Sequence, residues 1–311
     1  MDYIASFFAA AIVAGTPLLF ATLGEIITEK AGLTNLGVEG MMLMGAVGGF
    51  QAGLLTQNPV IAILSGALGG MIGALIFAFL TIELRVNQIV CGLALSIFGE
   101  GFASYMGKIL GGKMVPQALK AYFMPYKIPL LGDIPFLGRI FFSQDPYIYL
   151  GYIIAILLGL YLYKTRPGLT LRSIGENPGA ADAAGINISR YKYIHTLLGG
   201  ALSGLGGAYL SLVYVPAWQE GITAGRGWIA VALVIFATWN PYKAILGSYL
   251  FGGLDIIGFR LQGTKFAVSQ YLIDMLPYMV TISVLVFVSL KKSKDNSPPA
   301  ALGTPYFREE R

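Results

Sequence analysis

The sequence is poor in charge, cysteine and histidine, and each shortage excludes a class of protein. Only 12% of the 311 residues are charged, whereas soluble domains carry about 25%, so an ordinary soluble enzyme is excluded. Cys91 is the only cysteine, which rules out an intrachain disulfide and a cysteine metal cluster. His195 is the only histidine, which argues against a zinc site or a histidine proton relay. We expect no metal site.

Apolar residues and glycine dominate instead. Hydrophobic residues make up 56% of the chain and there are 41 glycines, which in a bilayer indicates closely packed helices. A span needs about 20 apolar residues, so nine spans would use about 180 residues, close to the apolar content. The apolar runs are Tyr3–Ile27, Leu36–Leu55, Val60–Ile82, Ile89–Leu110, Tyr147–Tyr163, Tyr193–Val215, Trp228–Trp239, Ala244–Ile257 and Tyr271–Leu290. The sequence therefore predicts an all-α polytopic membrane protein with about nine transmembrane helices.

The basic residues predict the orientation of these spans. The net charge is +5, and an excess of Lys and Arg in short loops marks the cytoplasmic side of a membrane protein rather than a nucleic-acid partner. The bias predicts a multi-pass cell-membrane protein with its N-terminus outside and its C-terminus in the cytoplasm. We expect a transmembrane domain over 1–290, with an outer loop at 111–146 and a cytoplasmic loop at 165–192. Residues 291–311 read as a disordered cytoplasmic tail.

This orientation gives the two halves of the chain inverted topology. Spans one to four begin outside and spans six to nine begin inside, and the fifth span connects them. Gly32-Leu33-Thr34 before the second span is echoed by Gly221-Ile222-Thr223 before the seventh. Interrupted, glycine-rich segments at matching positions favour a substrate pathway near the midplane, between two four-helix halves. The seventh run is too short to span alone, so it is either extended through Gly221 or a half-helix.

The predicted cytoplasmic loop 165–192 contains a short helix with a stop signal at each end. Asn177 is a good N-cap, Pro178 suits the first helical position, and Gly185 suits a left-handed terminator. The pattern predicts a helix of about seven residues, which is too short to be stable alone in water. Its small side chains would let a partner surface approach closely. An ordinary structured loop is the alternative.

Four segments of the chain resemble permease subunits of ATP-binding-cassette (ABC) importers for simple sugars, branched-chain amino acids and nucleosides. Residues 175–186 read GENPGAADAAGI and are similar to the coupling loop of those permeases, GENP-x-AA-x-x-AGI. Three further segments are similar to the nucleoside branch: GLTNLGVEGMM at 32–42, VNQIVCG at 86–92 and GRGWIAVALVIFATWNP at 225–241. The resemblance extends from about Pro17 to Leu290.

The resemblance implies a transport subunit without ATPase activity of its own, and the sequence has no G-x-x-x-x-G-K-[ST] phosphate loop. No cofactor is expected in this chain, because a separate ATPase subunit would bind ATP and magnesium. A second homologous permease (in a heterodimer), an extracellular substrate-binding lipoprotein and membrane lipid are the other implied partners, with no nucleic acid. The implied ATPase-coupling residues are Arg172, Gly175, Glu176, Asn177, Pro178, Ala180, Ala181, Ala184, Gly185 and Ile186. A bulky charge there, such as Ala181→Glu, should prevent docking.

Polar residues within or beside the apolar runs are candidates for the solute pathway. They are Asn35, Glu39, Asn87, Gln88 and Glu100. Capping of the fourth span is the alternative for Asn87 and Gln88, and interhelical pairing is the alternative for Glu100.

Other groups in the apolar runs are interpreted as structural. Glycine pairs four residues apart predict close helix contacts, and these pairs are Gly66/Gly70, Gly69/Gly73 and Gly200/Gly204. Glu25 is expected to be solvated at a membrane edge. Asp255 and Asp274 are expected to pair with Arg260 or Lys265.

These patterns favour the permease subunit of an importer. A neutral polar solute is favoured, because a pathway with few charges offers a charged solute no partner. The resemblance narrows the solute to nucleosides, with purine nucleosides preferred. Permeases for sugars such as ribose or for branched-chain amino acids are the alternatives within this class. An ion-coupled secondary transporter is the alternative from another class. A membrane-embedded enzyme is not favoured, because no paired carboxylates stand at catalytic spacing.

Overall fold

The computed structural model describes residues 2–261, 275–283, 286 and 297–307. Over these ranges the chain is predominantly helical, with very little sheet. The helices are α1 (Asp2–Lys30), α2 (Val38–Thr56), α3 (Pro59–Ala78), α4 (Gln88–Gly107), α5 (Gln117–Tyr122), α6 (Leu137–Phe141), α7 (Pro146–Lys164), α8 (Arg166–Glu176), α9 (Pro178–Ala183), α10 (Ile188–Tyr209), α11 (Arg226–Phe236) and α12 (Pro241–Leu261). Residues 275–283 are also helical. Strands β1 (Tyr126–Lys127) and β2 (Ser143–Gln144) pair antiparallel.

Three helices continue into a turn of different pitch. A π-helical turn, Phe79–Glu83, extends α3, and another, Leu210–Tyr214, extends α10. A 3₁₀ turn, Lys108–Leu110, extends α4. Five helices start after a side-chain cap in which an Asn or Asp oxygen accepts a first-turn N–H, and Thr165 caps α8 in the same way. The capping residues are Asn58, Asn87, Asp145, Asn177 and Asn187.

Six of the described helices are long and apolar enough to cross a bilayer, which confirms the prediction of a polytopic helical membrane protein. With eleven residues, α11 is only about 16 Å long and cannot cross a hydrocarbon core of about 30 Å. The eighth predicted run lies in α12, which has 21 residues. Half of the ninth run, Tyr271–Leu290, lies outside the described residues, so the count of nine spans stays a prediction.

The centre of the bundle is a glycine seam in which α2, α3 and α10 cross. A Cβ added at Gly70 would overlap the backbone of Gly200 and Gly204, and one added at Gly204 would overlap the Gly66 carbonyl oxygen. Gly45 on α2 meets the Gly204 backbone in the same way. These contacts confirm the predicted glycine ladders, since the helices approach closely enough for backbone atoms to touch.

The other side of α3 and α4 is bare in this chain. In the most apolar stretch of α2 and of α10, 72% of residues are buried, but in those of α3 and α4 only 33% are buried. Large apolar side chains such as Leu68, Ile72, Leu93 and Ile97 are exposed along this face. Glu100 is exposed on α4 as well.

The segment predicted as a long outer loop, 111–146, is structured. It contains α5, α6 and the β1–β2 pair, and it ends at Asp145, which caps α7 through Tyr147 N (2.9 Å) and Ile148 N (3.0 Å). Burial raises the pKa of Asp145, although these N–H groups and the Tyr209 hydroxyl stabilise the carboxylate. Val115 N donates to the Pro216 carbonyl at 3.0 Å, so this segment is held against the residues that precede α11.

The prediction of a disordered tail does not hold for residues 297–307. Ala301 N donates to the Gly175 carbonyl at 2.9 Å, and Pro299 is buried. Leu302 and Tyr306 lie against apolar clusters of the bundle. Composition alone gave no sign of these partners, because they lie far away along the chain. Residues 291–296 and 308–311 lie outside the described residues.

Candidate coupling loop and solute pathway

The short capped helix in loop 165–192 forms as predicted, with a second helix before it. The predicted helix is α9, whose cap Asn177 accepts a hydrogen bond from Ala180 N at 3.0 Å. Gly185 follows with φ +80°, and Ile186 N donates back to the Ala181 carbonyl at 3.1 Å. A left-handed glycine with such a return bond is a usual helix terminator. The preceding residues form α8, which sequence reasoning treated as loop.

The candidate coupling residues divide into an exposed set and a buried set. The exposed residues are Glu176, Asn177, Ala180, Ala184 and Gly185, and the buried or half-buried ones are Arg172, Gly175, Pro178, Ala181 and Ile186. Ala181 is only 4% exposed and packs in a cluster with Ile174 and Ile188 of its own chain. The expectation that Ala181 presents a docking surface is therefore wrong, because its methyl group faces inward. Ala180 is exposed on α9, and Ala184 is exposed directly after its last residue.

The two charged residues among the coupling candidates, Arg172 and Glu176, have partners within the chain. The Arg172 guanidinium lies 5.4 Å from the centre of the Tyr163 ring, at the end of α7. The Glu176 carboxylate accepts a hydrogen bond from Ala300 N at 3.3 Å. Gly175 is so close to the end of α1 that an added Cβ would overlap the Lys30 carbonyl oxygen. These contacts place α8 tightly against the end of α1.

Two of the candidate pathway residues, Asn35 and Gln88, form hydrogen bonds within residues 31–37, which connect α1 to α2. Asn35 N donates to Glu25 Oε1 at 3.0 Å, and Asn35 Oδ1 accepts from Gly37 N at 2.9 Å. Gln88 Oε1 accepts from Thr34 N at 2.7 Å. Asn87 caps α4, which is the alternative role predicted for it. These residues hold the polypeptide in place rather than point at open space.

Two side chains in this region, Gln88 and Glu25, carry buried polar groups. Gln88 Nε2 is buried with no hydrogen-bond partner among the described residues. Glu25 is fully buried, which overturns the expectation that it is solvated. Its neighbour on α1, Glu29, is also buried and accepts a hydrogen bond from the Trp239 indole. Sequence reasoning missed Glu29 and Trp239, because only the fold brings them together.

Glu39 lies where the two interrupted segments meet. Its carboxylate accepts hydrogen bonds from Thr223 Oγ1 (2.6 Å), Gly225 N (2.9 Å) and Gly227 N (2.6 Å). The last two N–H groups belong to the start of α11, where the helix dipole favours a negative charge. Glu39 itself is in the first turn of α2. One carboxylate therefore joins the starts of α2 and α11.

The junction lies level with the middle of α4. Gly40, next to Glu39, packs closely against α4, since a Cβ added at Gly99 would overlap the Gly40 backbone and one added at Gly40 would overlap the Leu95 carbonyl oxygen. Gly99 is the twelfth of the twenty residues of α4. The segments before both helix starts contain a left-handed glycine, Gly32 (φ +82°) and Gly221 (φ +62°). The segments that carry the faint sequence echo thus lead to helix starts that meet at Glu39, although Gly32 itself lies at the α8–α9 end of the bundle.

An ion pair stands beside this junction. Arg226 Nη2 lies 3.2 Å from Asp255 Oδ2, with side chains that are 14% and 20% exposed. The expectation that Asp255 pairs with Arg260 or Lys265 is wrong for Arg260, which instead lies over the Tyr3 ring at 4.5 Å. Lys265 and Asp274 lie outside the described residues. Sequence reasoning did not single out Arg226, although its position in GRGW beside a break could have indicated this partner.

Glu100 is separate from the junction. It occupies the bare face of α4, next in sequence to Gly99, whereas Glu39 is on the packed side of the same level. Of the five candidate pathway residues, the structure brings Glu39 to the meeting point of the interrupted segments. Asn35, Asn87 and Gln88 lie at the connection before α2 and at the start of α4, and Glu100 faces outward from this chain.

Comparison with known proteins decides the family. Residues 7–285 match the family described as "Branched-chain amino acid transport system / permease component". The chain belongs to this family. The match covers the bundle from α1 onwards, including both interrupted segments and the loop with α8 and α9.

Three curated relatives cover most of the chain. It is 36% identical to "Nucleoside ABC transporter permease protein NupC" of Lactococcus lactis, over 88% of this chain and 89% of the relative. It is 34% identical to "Guanosine ABC transporter permease protein NupQ" of Bacillus subtilis, over 97% and 96%. It is 35% identical to "Putative glucose ABC transporter permease protein TsgC13" of Haloferax volcanii, over 99% of both chains.

Proposed function

We propose that this chain is the membrane subunit of an ABC importer that carries purine nucleosides, driven by a separate ATPase. The observation that carries the proposal is the similarity to a nucleoside permease and a guanosine permease over at least 88% of the chain. The paired helices α8 and α9 at one end of the bundle support an ATPase-docking role. A second homologous permease and an external substrate-binding lipoprotein complete the proposed assembly.

The charges at the junction support a neutral solute. Glu39 is occupied by three donors, and Arg226 is paired with Asp255, so neither is free to neutralise a charged solute. Moving an unpaired charge through a low-dielectric pathway costs several kcal/mol. Nucleosides and sugars avoid this cost because they are neutral and rich in hydrogen-bonding groups. The glucose permease of Haloferax volcanii makes a sugar the second candidate.

ATP-driven uptake tests the substrate. The chain is reconstituted in vesicles with its ATPase, the second permease and the binding protein, and offered labelled guanosine, ribose, glucose or leucine. We expect guanosine uptake that requires ATP and is competed by unlabelled purine nucleosides. Uptake of a sugar without guanosine would favour the second candidate. Uptake that follows an ion gradient without ATP would contradict the importer proposal.

The proposed orientation places α8 and α9 in the cytoplasm and the N-terminus outside. It is supported by the fold, because the Lys30 end of α1 and residues 297–307 both lie at the α8–α9 end of the bundle, so the start of α1 lies at the opposite end. Cysteine labelling tests it in a Cys91→Ser background. An impermeant thiol reagent added outside should modify Leu131→Cys and spare Ala180→Cys, both of which are exposed positions. The reverse pattern would contradict the orientation.

A further inference from the structure

The C-terminal residues 297–307 cross the α8–α9 end of the bundle and are attached to it at three places. At α8, Ala301 N donates to the Gly175 carbonyl at 2.9 Å. At the α1–α2 connection, Gly303 N donates to the Gly32 carbonyl at 3.3 Å. At α9, the Tyr306 hydroxyl donates to Asp182 Oδ2 at 2.8 Å. The segment therefore touches three separate parts of the chain within six residues.

Apolar side chains fix the same segment between these bonds. Leu302 packs against the cluster that contains Trp239 and the end of α1. Tyr306 packs against the cluster of Ile174, Ala181 and Ile188, which supports α8, α9 and the start of α10. The guanidinium of Arg85, in the connection between α3 and α4, lies 4.7 Å from the Phe307 ring. These contacts hold residues 297–307 against the bundle, which a simple linker would not require.

The middle attachment leads to the interrupted second span. Gly32 opens the connection in which Asn35 and Thr34 are held by Glu25 and Gln88. Six positions after Gly32, α2 begins, and Glu39 in its first turn caps α11. The described residues thus contain a continuous chain of contacts from α9 through Tyr306 and Gly303 to the α2–α11 junction.

We propose that residues 297–307 act as a strap that couples α9 to the start of the interrupted second span. The strap rests on the proposed function, in which the ATPase moves α9. α9 has only six residues and is too short to hold its position alone, so its attachments decide where it lies. Through the strap, a displacement of α9 pulls on the connection before α2, in addition to the direct route through α10. Tyr306 and Asp182 are positioning residues in this scheme.

The hydroxyl of Tyr306 provides the first test. Tyr306→Phe keeps the ring in its apolar cluster and removes the donor to Asp182. We expect stimulation of ATP hydrolysis by substrate-loaded binding protein to fall roughly three- to tenfold, the range that corresponds to one net hydrogen bond. Basal ATP hydrolysis and co-purification of the ATPase should stay near wild type. Tyr105→Phe, the same change at an exposed site on α4, is the control and should have no effect.

The acceptor provides a matched pair of variants. Asp182→Asn retains an oxygen that can accept from Tyr306 and should keep most of the stimulation, whereas Asp182→Ala should lose at least as much as Tyr306→Phe. If both act through one bond, the double variant Tyr306→Phe/Asp182→Ala should be no worse than Asp182→Ala alone. Fully additive losses would contradict a shared contact.

Removal of the whole strap separates this proposal from the docking proposal. A chain that ends at residue 296 should still bind the ATPase and lose more stimulation than Tyr306→Phe. Wild-type stimulation in both the shortened chain and Tyr306→Phe would overturn the strap. If the strap variants keep wild-type stimulation but Ala184→Glu abolishes ATPase binding in the same assay, the strap proposal fails and the α9 docking proposal is supported. If Ala184→Glu also binds normally, the docking proposal itself fails.

Discussion

The glycine seam and the bare face of α3 and α4 differ in what covers their helix surfaces. In the seam, α2, α3 and α10 are in backbone contact through Gly45, Gly70 and Gly204, so one chain completes it alone. The bare face offers large apolar side chains and Glu100 to whatever lies beside it. Lipid can cover the apolar side chains, but a carboxylate at the middle of a span is costly against lipid. The difference indicates that the seam builds the fold and the face meets another chain or a watery pathway.

Adding one methyl group to each region should give opposite results, and this is the largest expected effect. Gly70→Ala forces a Cβ into the backbone of Gly200 and Gly204, and should cost about 3 kcal/mol of stability or more. Gly101→Ala on the bare face has no atom within 4 Å of the new Cβ, and should gain about 0.5–1 kcal/mol from helix propensity. Thermal unfolding of both variants in detergent measures the difference. Equal melting temperatures would show that the seam is not tightly packed.

Glu39→Gln should have the next largest effect. The amide keeps one acceptor but places an NH₂ group against donors from Thr223 and the start of α11, so we expect a loss of about 1–3 kcal/mol. Reduced thermal stability together with reduced transport is the expected result. Wild-type stability would mean that the α2–α11 junction does not depend on this carboxylate.

Glu100→Gln removes the mid-span charge of the bare face and keeps its shape. Because Glu100 is exposed and outside the seam, stability should change by less than about 0.5 kcal/mol. Uptake of guanosine should nevertheless fall if this face lines the pathway. Unchanged uptake would leave Glu100 without a part in transport and would weaken the contrast between the two regions.

Local signals in the sequence predicted local structure well. Asn177, Pro178 and Gly185 each act on neighbouring backbone, and α9 begins and ends where they indicate. The glycine ladders also have a local period, and the helices do meet along them.

Contacts between distant residues could not be predicted in this way. The hydrogen bond between Glu39 and Thr223 joins positions 184 residues apart, and the bond between Tyr306 and Asp182 spans 124 residues. The inward orientation of Ala181 depends on Ile174 and Ile188, which flank α9 from neighbouring helices. An alanine-rich pattern gives no indication of which methyl groups point inward. The substitution chosen from the sequence, Ala181→Glu, would therefore damage the chain's own packing before it affected a partner.

We propose that the exposed side of α9 binds the ATPase and couples it to transport. Ala184→Glu tests this directly, because Ala184 is exposed and follows the last residue of α9. Ala121→Glu, an exposed alanine on α5 at the opposite end of the bundle, is the matched control. The measurement is co-purification of the ATPase together with ATP hydrolysis stimulated by loaded binding protein. We expect Ala184→Glu to lose both ATPase binding and stimulated ATP hydrolysis, whereas Ala121→Glu should retain both. Wild-type binding and stimulation in Ala184→Glu would contradict it.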